Sequence, residues 1–288
     1  MFRISDVAAF VLFRVLGYRR KVIRENLRRS FPEKTGRELA VIRKQFYVHF
    51  TDLIVETIKF TACTREEVLS RIVMSEASEQ ALRRIKKGGV CLLGHRGNWE
   101  MANLFISAKN LVEPIVVYKP LASTSFESWF KKLRTRFGST MVPMKQVYEE
   151  LEKERDHPYA VYLVNDQSPN PKTAYWTTFL NQDTGVYRGA EIISRKYEAE
   201  VFFCDISKIE GRRGCYEVEI IPFTSQPSSF PLNEILERQI RYLESCILKQ
   251  PHNWLWSHKR WKHPRPAKLT QDQLLETSGE WERTGQSF

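Results

Sequence analysis

The chain has 288 residues, 42% of them hydrophobic, enough for a core that removes roughly 75% of the unfolded surface and needs neither metal nor disulfide support. Lys and Arg outnumber Asp and Glu by 45 to 34, a net charge of +11. This indicates an acidic partner, whether nucleic acid, anionic lipid or an acidic carrier protein, and charge alone does not choose among them. The five cysteines Cys63, Cys91, Cys204, Cys215 and Cys246 are scattered and form no C-x-x-C pair. That pattern argues against a disulfide scaffold and reads as reduced thiols on the cytosolic side of a membrane.

The chain opens with a short apolar stretch, Val7 to Leu16, interrupted by Arg14. A spanning helix needs about 20 apolar residues, so this stretch predicts an amphipathic or monotopic anchor. The basic run Arg19, Arg20, Lys21, Arg24, Arg28 and Arg29 that follows suits anionic headgroups. Residues 1–29 are therefore taken as a membrane-associating region, 30–266 as an α/β domain and 267–288 as a polar tail.

Helices are expected over 19–30 and 37–62, parted by Ser30-Phe31-Pro32-Glu33-Lys34, and over 76–87, ending at Gly88-Gly89. The compact apolar run Val90–Leu93 reads as a buried strand. Further strands are expected at Ile115–Tyr118, Ala160–Val164, Val201–Cys204 and Tyr216–Ile221. Helices are expected between them at 99–109, 125–137, 147–155 and 185–197, with a last one at 232–249. Strands alternating with helices imply an α/β fold: a single domain with a mostly parallel central sheet flanked by helices.

The sharpest chemical feature is Gly94-His95-Arg96-Gly97-Asn98-Trp99-Glu100, placed where a strand ends and a helix begins, the edge at which α/β sheets gather ligands. On one continuous helix, residues five apart point about 140° away from each other. Gly97 permits a turn, so that His95 sits in the loop and Glu100 in the first helical turn. The carboxylate is then expected to fold back on the imidazole as a general-base dyad. There is no H-E-x-x-H and no G-x-S-x-G, so neither a zinc site nor a serine nucleophile is indicated.

This loop resembles the first block of the bacterial lipid A biosynthesis acyltransferases, the lauroyl/myristoyl-type enzymes with an H-x4-E motif in the lysophospholipid acyltransferase superfamily. Tyr18–Val22, Asn26-Leu27 with Ser30-Phe31-Pro32-Glu33, Val117-Tyr118-Lys119-Pro120-Leu121, Leu133-Arg134-Thr135-Arg136-Phe137-Gly138, Val164-Asn165-Asp166-Gln167 and Trp256–Lys262 extend the resemblance over residues 18–265. It implies transfer of a fatty acyl chain from acyl carrier protein to a hydroxyl of a lipid A precursor at the cytoplasmic face of the inner membrane. It implies no cofactor, no metal and no nucleic-acid partner.

By the same resemblance His95 and Glu100 are the catalytic pair. Arg134 or Arg136, with Asp166, are supporting residues, Asp166 fixing the arginine. Arg96, Asn98 and Gln167 join them as substrate-binding candidates. Oxyanion donors are sought among the N–H groups of Gly97–Trp99. Arg96 stands where the family often has an aromatic and Lys119 where it often has arginine, and the anchor is shorter than the family's spanning helix. No Glu-Gly-Thr-Arg block marks a glycerolipid acceptor. The alternatives are transfer to another glycolipid or an aminolipid, or a non-catalytic basic lipid- or nucleic-acid-binding protein. The aromatic, cationic segment Trp254–His263 suits a headgroup boundary, with single-stranded nucleic acid as the less favoured use.

Overall fold

In the computed structural model residues 1–267 are described; the tail expected from 267 onward otherwise lies outside them. The elements are α1 (Phe2–Phe10), continued by a π-helical turn Val11–Val15, α2 (Arg20–Ser30), α3 (Gly36–Phe60), α4 (Arg65–Arg71), β1 (Ile72–Met74), α5 (Glu76–Arg83), β2 (Gly88–Leu93), α6 (Trp99–Lys109), β3 (Glu113–Tyr118), α7 (Thr124–Arg134), β4 (Thr140–Pro143), α8 (Val147–Leu151), β5 (Tyr159–Val164), β6 (Tyr175–Phe179), β7 (Gln182–Val186), α9 (Gly189–Lys196), β8 (Glu200–Lys208), β9 (Tyr216–Thr224) and α10 (Glu234–Lys249).

Seven strands form one sheet in the order β1-β9-β8-β2-β5-β3-β4. Every neighbouring pair is parallel except β8 with β9, so the α/β fold with a mostly parallel sheet is the one that forms. β2 lies between β5 and β8 and is buried on both faces, as its unbroken apolar run requires. Cys91 and Leu93 enter a core shared with α4, α5 and α6. Val90 and Leu92 enter a second core with α8, α9 and α10.

A third core joins α2, α3 and α10 to the β6–β7 hairpin and to Trp254 and Trp256. Residues 20–30 therefore belong to the packed body: Ile23 and Leu27 are buried, and Asn26 donates to the carbonyls of Trp256 and His258. The basic side chains of Lys21, Arg24, Arg28 and Arg29 remain on its outer face.

Two sequence expectations change. The helix placed at 185–197 starts at Gly189, because residues 182–186 pair with 175–179 across Leu180 and Asn181, both at positive φ, a two-residue hairpin turn. The helix from residue 76 stops at Arg83, and Gly88-Gly89 belong to β2, paired with Tyr159 and Ala160. All five cysteines are free thiols, four of them buried. No helix among the described residues is long and apolar enough to cross a membrane.

Candidate active site

His95 follows β2 and Asp166 follows β5. These strands are parallel neighbours with Leu93 opposite Val164, so two residues further on the histidine and the aspartate face each other. His95 Nδ1 lies 2.5 Å from Asp166 Oδ1 and its backbone N–H donates to Oδ2 at 2.6 Å. Trp254 Nε1 donates to the same Oδ2 at 2.7 Å. Burial pushes Asp166 upward, but the His95 charge and these hydrogen bonds prevail and hold the carboxyl at about 2, so it is an anion at neutral pH. An ionised Asp166 keeps the ring proton on Nδ1 and leaves Nε2 as the basic atom. The Gln167 amide donates to Nε2 at 3.2 Å, and Trp99 meets the ring edge to face with centroids 4.9 Å apart.

The expected return of Glu100 onto the imidazole does not form. Glu100 does stand in the first turn of α6, but its carboxylate is gripped by Arg134 from α7, through Nε at 2.7 Å and Nη2 at 2.5 Å, a bidentate pair. Burial works against the Arg134 charge, and the bonds to Glu100 outweigh it and raise its affinity for the proton. Asp166, expected to fix an arginine, fixes His95 instead. Of the two arginine candidates, Arg134 lines the cavity; Arg136 donates to the Thr61 carbonyl and is not among the cavity residues.

Arg96 and Asn98 are corrected as well. Arg96 is 2% exposed and paired with Asp205, and neither it nor Asn98 lines the cavity. Asn98 caps α6 by accepting the Met101 N–H at 3.0 Å and donates to Glu56 at 2.9 Å. Gly97 turns the loop at φ +57°, and a Cβ there would lie 2.6 Å from the Ile206 carbonyl, so only glycine fits. Its N–H is taken by the Asn253 carbonyl, which removes it from the oxyanion candidates.

Nothing in the loop itself announced the part played by the C-terminal segment. Arg96 and Trp254 form an antiparallel bridge, and the Leu255 N–H donates to the His95 carbonyl. Trp254 and Trp256 are buried at 2% and 0% exposure. They are core residues beneath the site and not part of a headgroup boundary. Arg260, also 2% exposed, donates to the Gly185 carbonyl. Burial depresses its affinity for a proton to about 10, opposed by the Asp166 charge. The one sequence signal for this role was the placement of tryptophan and arginine in the closing block.

His95, Glu100, Arg134 and Gln167 line a cavity of about 530 Å³. Most of its lining is apolar, including Ala102, Ile106, Val116, Val218 and Ile220, and Lys119 and Lys131 also line it. Among the described residues no cluster of three or more His, Cys, Asp or Glu is placed to hold a metal ion. A histidine at the carboxyl edge of a parallel sheet, backed by a buried carboxylate and opening on an apolar cavity, suits transfer of an apolar group to an acceptor that must lose a proton.

The sequence pattern of the bacterial lipid A biosynthesis acyltransferases matches residues 1–263, and the chain belongs to that family. Comparison with individually curated proteins returned no match.

The surroundings of the site set an acid limit. Burial, then the cations Lys208 and Arg96, hold His252 down at about 4. Burial also brings His258 to about 4, with Asp166 opposing, and His49 is driven well below its ordinary value. The unfolded chain takes up these protons near the ordinary histidine value of about 6.5. The stabilisation is thus complete above about 6.5 and is lost as pH falls toward about 4, because the unfolded state then binds more protons. Asp166 adds loss only below about 4, as pH falls toward about 2. The melting temperature followed by circular dichroism is expected to fall steadily from about pH 6.5 to about pH 4; a flat profile there would mean that these rings titrate normally in the fold.

Proposed function

We infer that the protein moves a fatty acyl chain from the thioester of an acyl carrier protein to a hydroxyl of a lipid A precursor, with His95 as general base and Asp166 as the carboxylate that orients it. The observation that carries this reading is the Nδ1–Asp166 bond, which leaves Nε2 facing an apolar cavity. Nε2 accepts the proton of the acceptor hydroxyl as its oxygen attacks the thioester carbonyl carbon. The C–S bond then breaks, and the leaving thiolate recovers the proton from the imidazolium. The N–H groups opening α6 lack intrahelical acceptors by helix geometry, and those beyond Gly97 are the candidates for the oxyanion. Arg134, held by Glu100, turns its remaining donor capacity to an acceptor phosphate or carbonyl.

The site supports a donor delivered by an acidic carrier. Lys119, Lys131 and Lys132 are exposed, and none forms an ion pair among the described residues. Steering by such charges acts on association and is sensitive to salt. The double substitution Lys131→Glu with Lys132→Glu is expected to raise KM for acyl carrier protein several-fold while sparing kcat, and to affect a free acyl-coenzyme A donor less. Mass spectrometry of the product from purified protein, acyl carrier protein and a lipid A precursor reads both the reaction and these constants. Absence of an acylated product would overturn the reading. A fall in kcat alone would move the lysines from carrier docking to the acceptor pocket.

Attachment to the membrane surface is supported by the way α1 is fastened. Polar contacts fasten it to the body: Ser5, fully buried, donates to Asp52 at 2.6 Å and lies 3.1 Å from the Thr51 hydroxyl, and Arg213 joins Asp6 to Asp52. Ile4, Val7, Phe10, Val15 and Leu16 project outward, each more than 60% exposed. A helix pinned with its apolar side outward suits a bilayer interface, and the inner membrane is the one that lipid A synthesis requires.

A further inference from the structure

Away from the site, α1 and α3 border a second, open hollow of about 680 Å³. The two helices are locked along one side by Ser5, Thr51 and Asp52. Beside this lock they leave an open groove walled by Ile4, Val7, Ala8 and Val11 from the first segment and by Ile54 and Val55 from α3, with Thr51 of the lock on its lining. The polar lock fixes the spacing of the walls, so the groove belongs to the packed fold.

Val7 and Ile54 are 65% and 38% exposed, so the groove opens on the same apolar surface as the rest of α1. Arg3 stands on its lining, is exposed and forms no ion pair among the described residues. An apolar trough with one unpaired guanidinium has the chemistry of a single acyl chain with an anionic headgroup.

We propose that the α1–α3 groove binds one acyl chain of an anionic phospholipid from the surrounding bilayer, with Arg3 on its headgroup, as a lipid site separate from the acyl-transfer cavity. The proposal rests on the reading that this face meets a membrane. It goes beyond that reading, because surface docking requires no stoichiometric lipid. The volume admits a chain segment of many methylenes, held by packing against the two helix walls and by the guanidinium rather than by escape from water, because the bilayer is equally apolar.

The full chain, solubilised in detergent with palmitoyl-oleoyl-phosphatidylglycerol, is examined by native mass spectrometry and by flotation on vesicles of the same lipid. One retained lipid per chain is expected. Ala8→Trp and, from the opposite wall, Ile54→Trp should each fill the groove and lose the retained lipid, while the chain still floats. Arg3→Glu should abolish the preference for phosphatidylglycerol over phosphatidylcholine. Melting curves show which variants are folded, and either tryptophan suffices.

Unchanged lipid retention in a folded tryptophan variant would overturn the groove site while leaving surface docking intact. A native chain that fails to float would overturn the membrane reading and the groove with it. A native dimer in sedimentation that the tryptophan variants dissociate would assign the groove to a second copy and overturn the lipid.

Discussion

His95→Ala is expected to leave the fold intact and to lower kcat for acyl transfer by at least about 10²-fold, the ordinary contribution of a positioned general base. The side chain stands at the cavity wall, and Asp166 keeps the donors of the residue-95 backbone and Trp254 when the imidazole is removed, so the fold should survive its loss. Asp166→Asn is expected to match or exceed that loss. An asparagine in place of the carboxylate no longer fixes the proton on Nδ1, and the basic atom is then turned from the cavity. Asp166 also accepts from the His95 backbone and from Trp254, so the variant is compared with Asp166→Glu, which keeps the charge and should restore part of the rate. Steady-state rates across pH separate the two effects. If Asp166→Asn left both the rate and its pH profile unchanged, His95 would not act through this carboxylate.

The second large effect concerns Glu100 and Arg134. Removing one partner of a buried ion pair leaves an uncompensated charge and typically costs about 3–5 kcal/mol. Glu100 is 7% exposed and Arg134 23%. Arg134→Met, which strands the more buried carboxylate, should therefore lie near the lower end, about 3 kcal/mol. Glu100→Met should cost less, because the guanidinium reaches solvent more readily. The double variant should lose less than the two losses added, with a coupling of about 1–3 kcal/mol, measured by urea unfolding of all four proteins. Turnover should fall in each single variant, because the pair holds α7 against the start of α6 beside His95. Were Glu100 the partner of the base, Glu100→Gln would shift the pH–rate profile as Asp166→Asn does. With Arg134 as its partner, Glu100→Gln lowers the rate without that signature.

Much of the architecture was legible because its causes are local. Val90–Leu93 is apolar without alternation, as a strand buried on both faces must be, and it forms the centre of the sheet. The break at Gly97 and the start of α6 at Trp99 follow from a glycine at positive φ and an asparagine cap. β1 and β4 went unread because they have three and four residues and carry no periodicity of their own. The hairpin of β6 and β7 went unread, with Gly185 and Val186 taken into the following helix, because its turn, Leu180-Asn181, lacks the usual glycine.

The site divides along the same line. The sequence by itself determined that a histidine would stand in a tight loop at a strand end, that Glu100 would open the next helix, and that basic residues would gather near both. Which carboxylate reaches the imidazole was decided by strand order: β5 lies beside β2, and Asp166 meets His95 from 71 positions away. Glu100 belongs to Arg134 because α7 packs beside α6, and Trp254 reaches Asp166 because the closing segment crosses the loop as a bridge. Spacing along a chain constrains partners within a turn or two of helix. A hydrogen bond between the ends of different strands depends on which strands are neighbours and in what register, and only the packed sheet specifies that.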